Sequence, residues 1–334
     1  MPSPIVLVDV MNLVFRSHYA HRNLSVDGHP TGVLYGVVRA IADLQREVSR
    51  RMLFVWDHGV PQPDVPRPRN WRETFLPEYK ANRKQDDAER RRVFVQLPEL
   101  HRIIQLLGYS NAAIVGLEAD DLIGIAANEL EGQIRILSTD RDFYQLIRPR
   151  TAVLAPVKNH KWRIIDASTI EREYGITVCR WPAYLALGGD SSDNIKPCRG
   201  MGPKTAVRLV TDGAIPDLAW NNQPEEFRTK YPKLQPVWPS IQRSYRAAQI
   251  PTTRRDPRIE KLARSYTIPH VNQQWQSAEA RNRAFTEFTR FCNRWEMVTL
   301  MPLRHTLFSE GKACPPNGNP PSTRHPWLRR NTLV

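Results

Sequence analysis

The chain has 334 residues, with 48 lysines and arginines against 34 aspartates and glutamates and a formal charge of +14. That length can bury a sizeable core and hold one large or two ordinary domains, and so large a positive excess beside clustered acids points to an anionic partner. Cys179, Cys198, Cys292 and Cys314 lie far apart without a Cys-x-x-Cys pair, which argues against a disulfide framework or a zinc site and fits a reducing cytoplasm.

The start lacks a basic segment followed by a long apolar one, and no later run approaches membrane-spanning length, so a soluble, unexported protein is expected. The apolar run 5–8 reads as a strand closed by Asp9, and helical character continues over 11–20. Arg16 on that helix lies two turns beyond Asp9, within reach of a phosphate, though a surface salt bridge suits it equally. Val33, Val37, Ala40, Ile41, Leu44 and Val48 mark a second amphipathic helix, and the run 53–56 is a strand closed by Asp57.

Pro61, Pro63, Pro66 and Pro68 exclude regular structure between 60 and 68. Trp71-Arg72 follows, then Tyr79-Lys80-Ala81-Asn82-Arg83-Lys84 and Arg90 to Arg92. Basic residues with aromatics interleaved suit stacked bases and phosphates, although Arg90 to Arg92 alone reads as a solvated face. The segment interrupts two sheet elements, so it is expected to stand above the pocket. Leu97 to Leu107 forms another amphipathic helix, ended by Gly108.

The stretch from Gly116 to Asp142 organises the rest. Glu118, Asp120 and Asp121 open a helix whose apolar stripe is Ala119, Leu122, Ile123, Ala126 and Leu130, and its first turn tolerates anions. A short buried strand, 134–137, then leads to Asp140 and Asp142. Three strands each closed by aspartate imply one shared pocket at the carboxyl edge of a sheet. Crowded carboxylates repel and raise one another's pKa unless cations neutralise them. Oxygen donors without thiolate or a histidine pair favour Mg²⁺ or Mn²⁺. Any one of these acids could be a surface cap; the threefold repetition makes a metal site the better reading.

Runs 152–154 and 162–165 read as a pair of edge strands, and a first domain closes near residue 175. Beyond it, a helix over 181–188 leads to Gly189-Asp190-Ser-Ser-Asp193, two further acids suited to a metal or to capping. Gly200-Met-Gly202-Pro-Lys204-Thr205 presents free backbone N–H groups at a helix start, a seat for phosphate. Residues 214–260 read as irregular basic surface, 278–298 as helix, and from 309 onward as a disordered basic tail.

Asp9 ahead of a helix bearing Arg16, Tyr79-Lys80-x-x-Arg83, Gly-x-Glu118-Ala-Asp120-Asp121, Asp140-x-Asp142, Gly-Asp190-Ser-Ser-Asp193-Asn-Ile and Gly-x-Gly-Pro-Lys-Thr-Ala together resemble the 5′-nuclease family. That family includes phage 5′-3′ exonucleases, flap endonucleases and the 5′-nuclease domain of bacterial DNA polymerases. The likeness covers about residues 5–210, and with no polymerase domain following, the chain is expected to be similar to the stand-alone phage or bacterial members. It implies an α/β, PIN-like domain over 1–175 with a mainly parallel sheet flanked by helices, and a helical arch or gateway at about 70–96. A helix-hairpin-helix-type DNA-binding region over 176–308 would follow.

The resemblance further implies two divalent ions at Asp9, Asp57, Glu118, Asp120, Asp121, Asp140, Asp142, Asp190 and Asp193. It places Lys80 and Arg83 on the scissile phosphate, with Tyr79 and Arg16 beside them, and a potassium ion in the 195–202 loop. DNA contacts fall to Arg72, Lys84, Gly200, Gly202, Lys204 and Thr205. The implied substrate is DNA with a 5′ end, flap or nick, cut by a monomer acting beside replication proteins. Departures are Val10 after Asp9, where the family has glycine, a longer proline-rich 57–72 segment, and Lys196-Pro197-Cys198-Arg199 in place of Pro-Gly-Val-Pro.

Three other classes compete. A haloacid-dehalogenase-type phosphatase wants Asp-x-Asp after its first strand, and Asp9-Val10-Met11 lacks the second acid. A PIN-type ribonuclease would share the acids without needing the glycine region, and a metal-free DNA-binding protein would be expected to lack several of them.

Overall fold

The computed structural model describes residues 2–58, 68–82, 88–157, 161–198, 201–211 and 225–309. Among the described residues, eight strands form two sheets: β1 (Ile5–Asp9), β2 (Ser25–Val26), β3 (His29–Pro30), β4 (Arg51–Val55), β5 (Ser110–Ala112), β6 (Ile134–Leu137), β7 (Thr151–Val157) and β8 (Lys161–Ile165). β2 and β3 pair as a small antiparallel ladder. The others form a central sheet in the order β5-β4-β1-β6-β7-β8. Five of these strands run parallel, and β8 alone is antiparallel, to β7. β7 is therefore an interior strand, which corrects the expectation that β7 and β8 are both edge strands; of the two, β8 alone lies at an edge, and β5 forms the other edge of the sheet.

The sequence explains the layering. β1 is buried along its whole length, and its residues alternate between two apolar layers as the period of a strand requires. Val6 and Val8, with Met52 and Phe54 of β4, face α1 (Val10–Ala20), α2 (Gly32–Glu47) and α4 (Leu97–Leu106). Ile5 and Leu7, with Leu53 and Val55, face α5 (Ala119–Glu129). A short helix, α3 (Ala88–Phe94), precedes α4, and α6 (Ala167–Tyr174) ends at Gly175, whose φ of +71° closes the helix in the left-handed region.

Residues past 175 complete both layers. α7 (Trp181–Gly188), α8 (Pro203–Thr211) and α10 (Trp238–Ala248) join the α5 side, while α12 (Ala278–Arg294) and α13 (Arg304–Phe308) join the α2–α4 side. The short helices α9 (Glu225–Lys230) and α11 (Glu260–Ala263) flank α10 in the chain. The expectation of irregular surface over 214–260 is corrected by α10: Trp238 and Ile241 are buried, and Pro239 stands in its first turn, where proline needs no N–H partner. α12 ends at Arg294, short of the expected 298. The tail from 310 onward lies outside the described residues. Among the described residues, no helix is long and apolar enough to cross a membrane.

The topology positions the site. The chain leaves β1 toward β4 and β5 on one side, then crosses through α5 to β6 on the other. Strand order reverses beside β1, and the crevice at the carboxyl edge there is where such sheets bind ligands.

Candidate active site

The ends of β1, β4 and β6 deliver acids to this crevice. Asp9 caps α1, accepting a hydrogen bond from the Asn12 backbone N–H at 3.2 Å, and its other oxygen accepts from Ser138 Oγ at 2.9 Å. Asn12 also bonds Thr139, tying the ends of β1 and β6 together. Asp57 accepts from the Ala119 N–H at the start of α5 at 2.8 Å. Burial, then the nearby Asp57 and Asp140 charges, push the Asp9 carboxyl up to about 7.

Asp140 caps the turn 141–146 by accepting from the Asp142 N–H at 2.9 Å. Oxygens of Asp142, Asp190 and Asp193 all lie within 4.8 Å of one another. Asp142 Oδ1 is buried with no hydrogen-bond partner among the described residues. Burial, followed by the Asp140, Asp193 and Asp190 charges, raises the Asp142 carboxyl well above its ordinary range.

Asp190 and Asp193 come from a tight turn closed by reciprocal backbone hydrogen bonds between Asp190 and Ile195. The turn needs Gly189: its φ is +79°, and a Cβ there would lie 2.6 Å from the Pro197 nitrogen. Three hydrogen bonds stitch this turn to residues 78–82. They run from the Lys80 N–H to Asp193 O at 3.1 Å, from Asn194 Nδ2 to Glu78 O at 2.7 Å and from Asn82 Nδ2 to Ser191 O at 2.8 Å.

A second group of acids is set differently. Glu118 caps α5 in a reciprocal box with Asp121, whose Oδ2 accepts from the Glu118 N–H at 3.0 Å and from Trp71 Nε1 at 3.1 Å. Arg72, expected on the DNA-binding surface, is instead 1% exposed. Its guanidinium lies 2.8 Å from Asp120, 3.0 Å from Asp121 and 3.3 Å from Glu118, donates to Ala247 O at the end of α10, and stacks on Trp71. Three carboxylates supply the counter-charge that makes a buried arginine tolerable. Asp121 is fully buried, held by Arg72, the Glu118 N–H and Trp71.

The segment from Asn70 to Asn82 is thus largely packed into the body, with Trp71, Leu76 and Tyr79 buried, and does not stand clear of the pocket. The Tyr79 hydroxyl lies 2.8 Å from Glu118 and 2.9 Å from Asp193, bridging the two groups of acids. Lys80 Nζ sits 2.8 Å from Glu118 and 3.5 Å from Asp193, on a backbone held at φ +55°.

Arg16 is exposed on α1, with no ion pair among the described residues. Gly202 is exposed, and a Cβ there would meet nothing within 4 Å; Pro203 opens α8, with Lys204 exposed and Thr205 half-buried behind it. Arg83, Lys84 and Gly200 lie outside the described residues, as does the 199–200 part of the expected potassium loop. Sequence reasoning missed His58, whose Nε2 is 3.8 Å from Glu118, and Ser138 and Asn12, which hold Asp9. Position directly after a strand-end aspartate was the one signal available for His58.

Residues 4–175, just over half of the chain, match the family model for the N-terminal resolvase-like domain of 5′-3′ exonucleases. A 5′-3′ exonuclease of Buchnera aphidicola is 34% identical over 213 residues, covering 62% of this chain and 69% of that protein. A thermostable DNA polymerase I of Thermus filiformis is 31% identical over 236 residues, 69% of this chain but only 26% of the polymerase.

Among solved structures, the bacteriophage T5 5′-exonuclease with bound zinc superposes with a TM-score of 0.56 at 20% identity, covering 75% of this chain and 90% of that one. Flap endonuclease-1 of Methanococcus jannaschii superposes at 0.53 and 12% identity, covering 92% of each chain. Those likenesses speak for the fold. The family model and the Buchnera relative carry the assignment: the chain belongs to the 5′-3′ exonuclease family.

Proposed function

We propose that this chain hydrolyses phosphodiesters in DNA at or near a 5′ end, flap or nick, using two Mg²⁺ or Mn²⁺ ions, as a cytoplasmic monomer in replication or repair. The observation that carries the reading is the cluster of Asp142, Asp190 and Asp193, with ligand oxygens within 4.8 Å and one buried oxygen unsatisfied. Such a cluster suits a hard divalent cation with oxygen ligands. Asp9, Asp57 and Asp140 stand as the second set, since Asp9 feels the charges of both partners. When bound, the ions would supply positive charge beside the phosphoryl oxygens and acidify an attacking water.

The chain's own groups do the rest. Lys80 Nζ, inside the ring of acids, offsets charge developing on the phosphoryl oxygens. Tyr79 holds Glu118 and Asp193 at fixed separation. Exposed Arg16 and the Arg83–Lys84 segment guide the strand. The region 176–308 grips duplex through the backbone N–H groups of Gly202 and Lys204.

The test is cleavage of 5′-labelled flap, nicked duplex, single-stranded DNA and RNA, with Mg²⁺ and with EDTA. Mg²⁺-dependent release from the 5′-ended DNAs is expected. Cleavage unaffected by EDTA, or confined to RNA, would overturn the reading.

A further inference from the structure

A cleft of about 500 Å³ opens at the end of the sheet opposite the acids. Arg50 and Arg51, at the amino-terminal end of β4, form one wall; Gln274, Trp275, Ser277 and Arg281, leading into and along the start of α12, form the other. β4 ends beside Asp57, and its five residues span about 17 Å at about 3.3 Å per residue, so the cleft is separate from the catalytic crevice.

Its charge is unbalanced. Among the described residues no acid lines it, and Arg50 and Arg51 form no ion pair. Arg50 donates to neutral groups only: Gln273 Oε1 at 3.1 Å, Thr306 O at 2.9 Å and Ser309 Oγ at 2.7 Å. Arg51 does the same, to Asn272 Oδ1 and Ser3 O, both at 3.1 Å. These bonds fix both guanidiniums without cancelling their charge, so their field enters the cleft preorganised. The second wall is equally rigid. Trp275 stacks on Phe308 at 5.6 Å and donates from Nε1 to Leu106 O at 3.1 Å, and the Gln274 N–H donates to Gly108 O at 2.9 Å.

We propose that this cleft binds a nucleoside phosphate. The positive field of Arg50 and Arg51 attracts the phosphate, the indole and the amide of Gln274 suit a base, and the volume fits a ligand of that size. The shared chemistry is a phosphate on a nucleoside, either free or at the end of a strand, and the free nucleotide is the form that fits inside.

Isothermal titration in EDTA, where the catalytic acids hold no metal to attract phosphate, tests this on the full chain. Its arms are inorganic phosphate, a deoxynucleoside monophosphate and a short single strand. The mononucleotide is expected to bind at least about tenfold more tightly than phosphate, the equivalent of one added polar contact. Arg281→Glu and, on an exposed position that leaves the fold alone, Gln274→Glu should each weaken it by at least about tenfold. Thermal melts confirm that both variants are folded. No mononucleotide binding, binding no tighter than phosphate, binding by the strand alone, or binding indifferent to both variants would each overturn the proposal. Cleavage assays report on the acids separately, so this site and the proposed function fail independently.

Discussion

Two groups of acids share one crevice and are neutralised in opposite ways. Glu118, Asp120 and Asp121 are met by a resident cation, Arg72, and Glu118 also by Lys80. Asp9, Asp57, Asp140, Asp142 and Asp190 make no ion pair among the described residues, and neutral donors such as Ser138 Oγ are all that Asp9 receives. The first group is complete as folded and holds α5, Trp71 and the end of α10 together. The second has no resident cation among the described residues, and the raised carboxyls of Asp9 and Asp142 mark the repulsion that a captured ion would relieve. Both groups are built of carboxylates; the difference lies in what the rest of the chain brings within 4 Å.

Asp142→Asn should break the second group. Loss of cleavage by roughly a thousandfold is expected, the upper scale for removing a preorganised electrostatic group. The metal-free protein should melt no lower than wild type, because a repulsive charge has gone. A variant that keeps full Mg²⁺-dependent activity would move Asp142 into the structural group.

Arg72→Met attacks the first group. Leaving three buried carboxylates without their cation should lower the unfolding free energy in urea by about 3–5 kcal/mol. Adding Asp121→Asn to that variant should recover part of the loss. A change under about 1 kcal/mol, the scale of an exposed pair, would contradict the role given to Arg72.

Lys80→Ala sharpens the boundary, since Lys80 touches both groups. Its single-turnover rate is expected to fall by roughly a hundredfold while DNA affinity changes little. An effect on affinity alone would make it a docking residue.

The smallest effect concerns pH without metal. The Asp9 carboxyl is raised from 3.8 to about 7 in the folded protein, so the folded state holds its proton more tightly than the unfolded chain does. That contribution to stability is present below pH 4 and is lost as pH rises through about 7. Melting in EDTA should therefore fall over this window, and Mg²⁺ should restore more at pH 8 than at pH 5. An equal Mg²⁺ effect at both pH values would argue against ion capture by Asp9.

The second group was legible in the sequence because each acid follows an apolar run or a glycine turn, and strand polarity alone places such residues at one edge. The first group was legible only as acids. Trp71-Arg72 looks like a basic surface segment until the fold wraps it beneath α5, since burial of an arginine depends on partners 46 to 175 residues away. α10 was hidden because its prolines and arginines resemble linker composition, although Trp238-Pro239 is also a helix-start signal. His58 carried no periodic mark, and its φ of +51° belongs to the turn, not to the residue type.

The backbone bond from Lys80 to Asp193 O ties the position of the Lys80 amine to the turn that carries Asp190 and Asp193. A deletion or insertion between Gly189 and Ile195 would displace the lysine as surely as the carboxylates. Length variation in that turn should therefore be far less tolerated than its exposed serines, Ser191 and Ser192, suggest. A library of loop-length variants selected for nuclease activity should return the native spacing even where it accepts many replacements at those two serines.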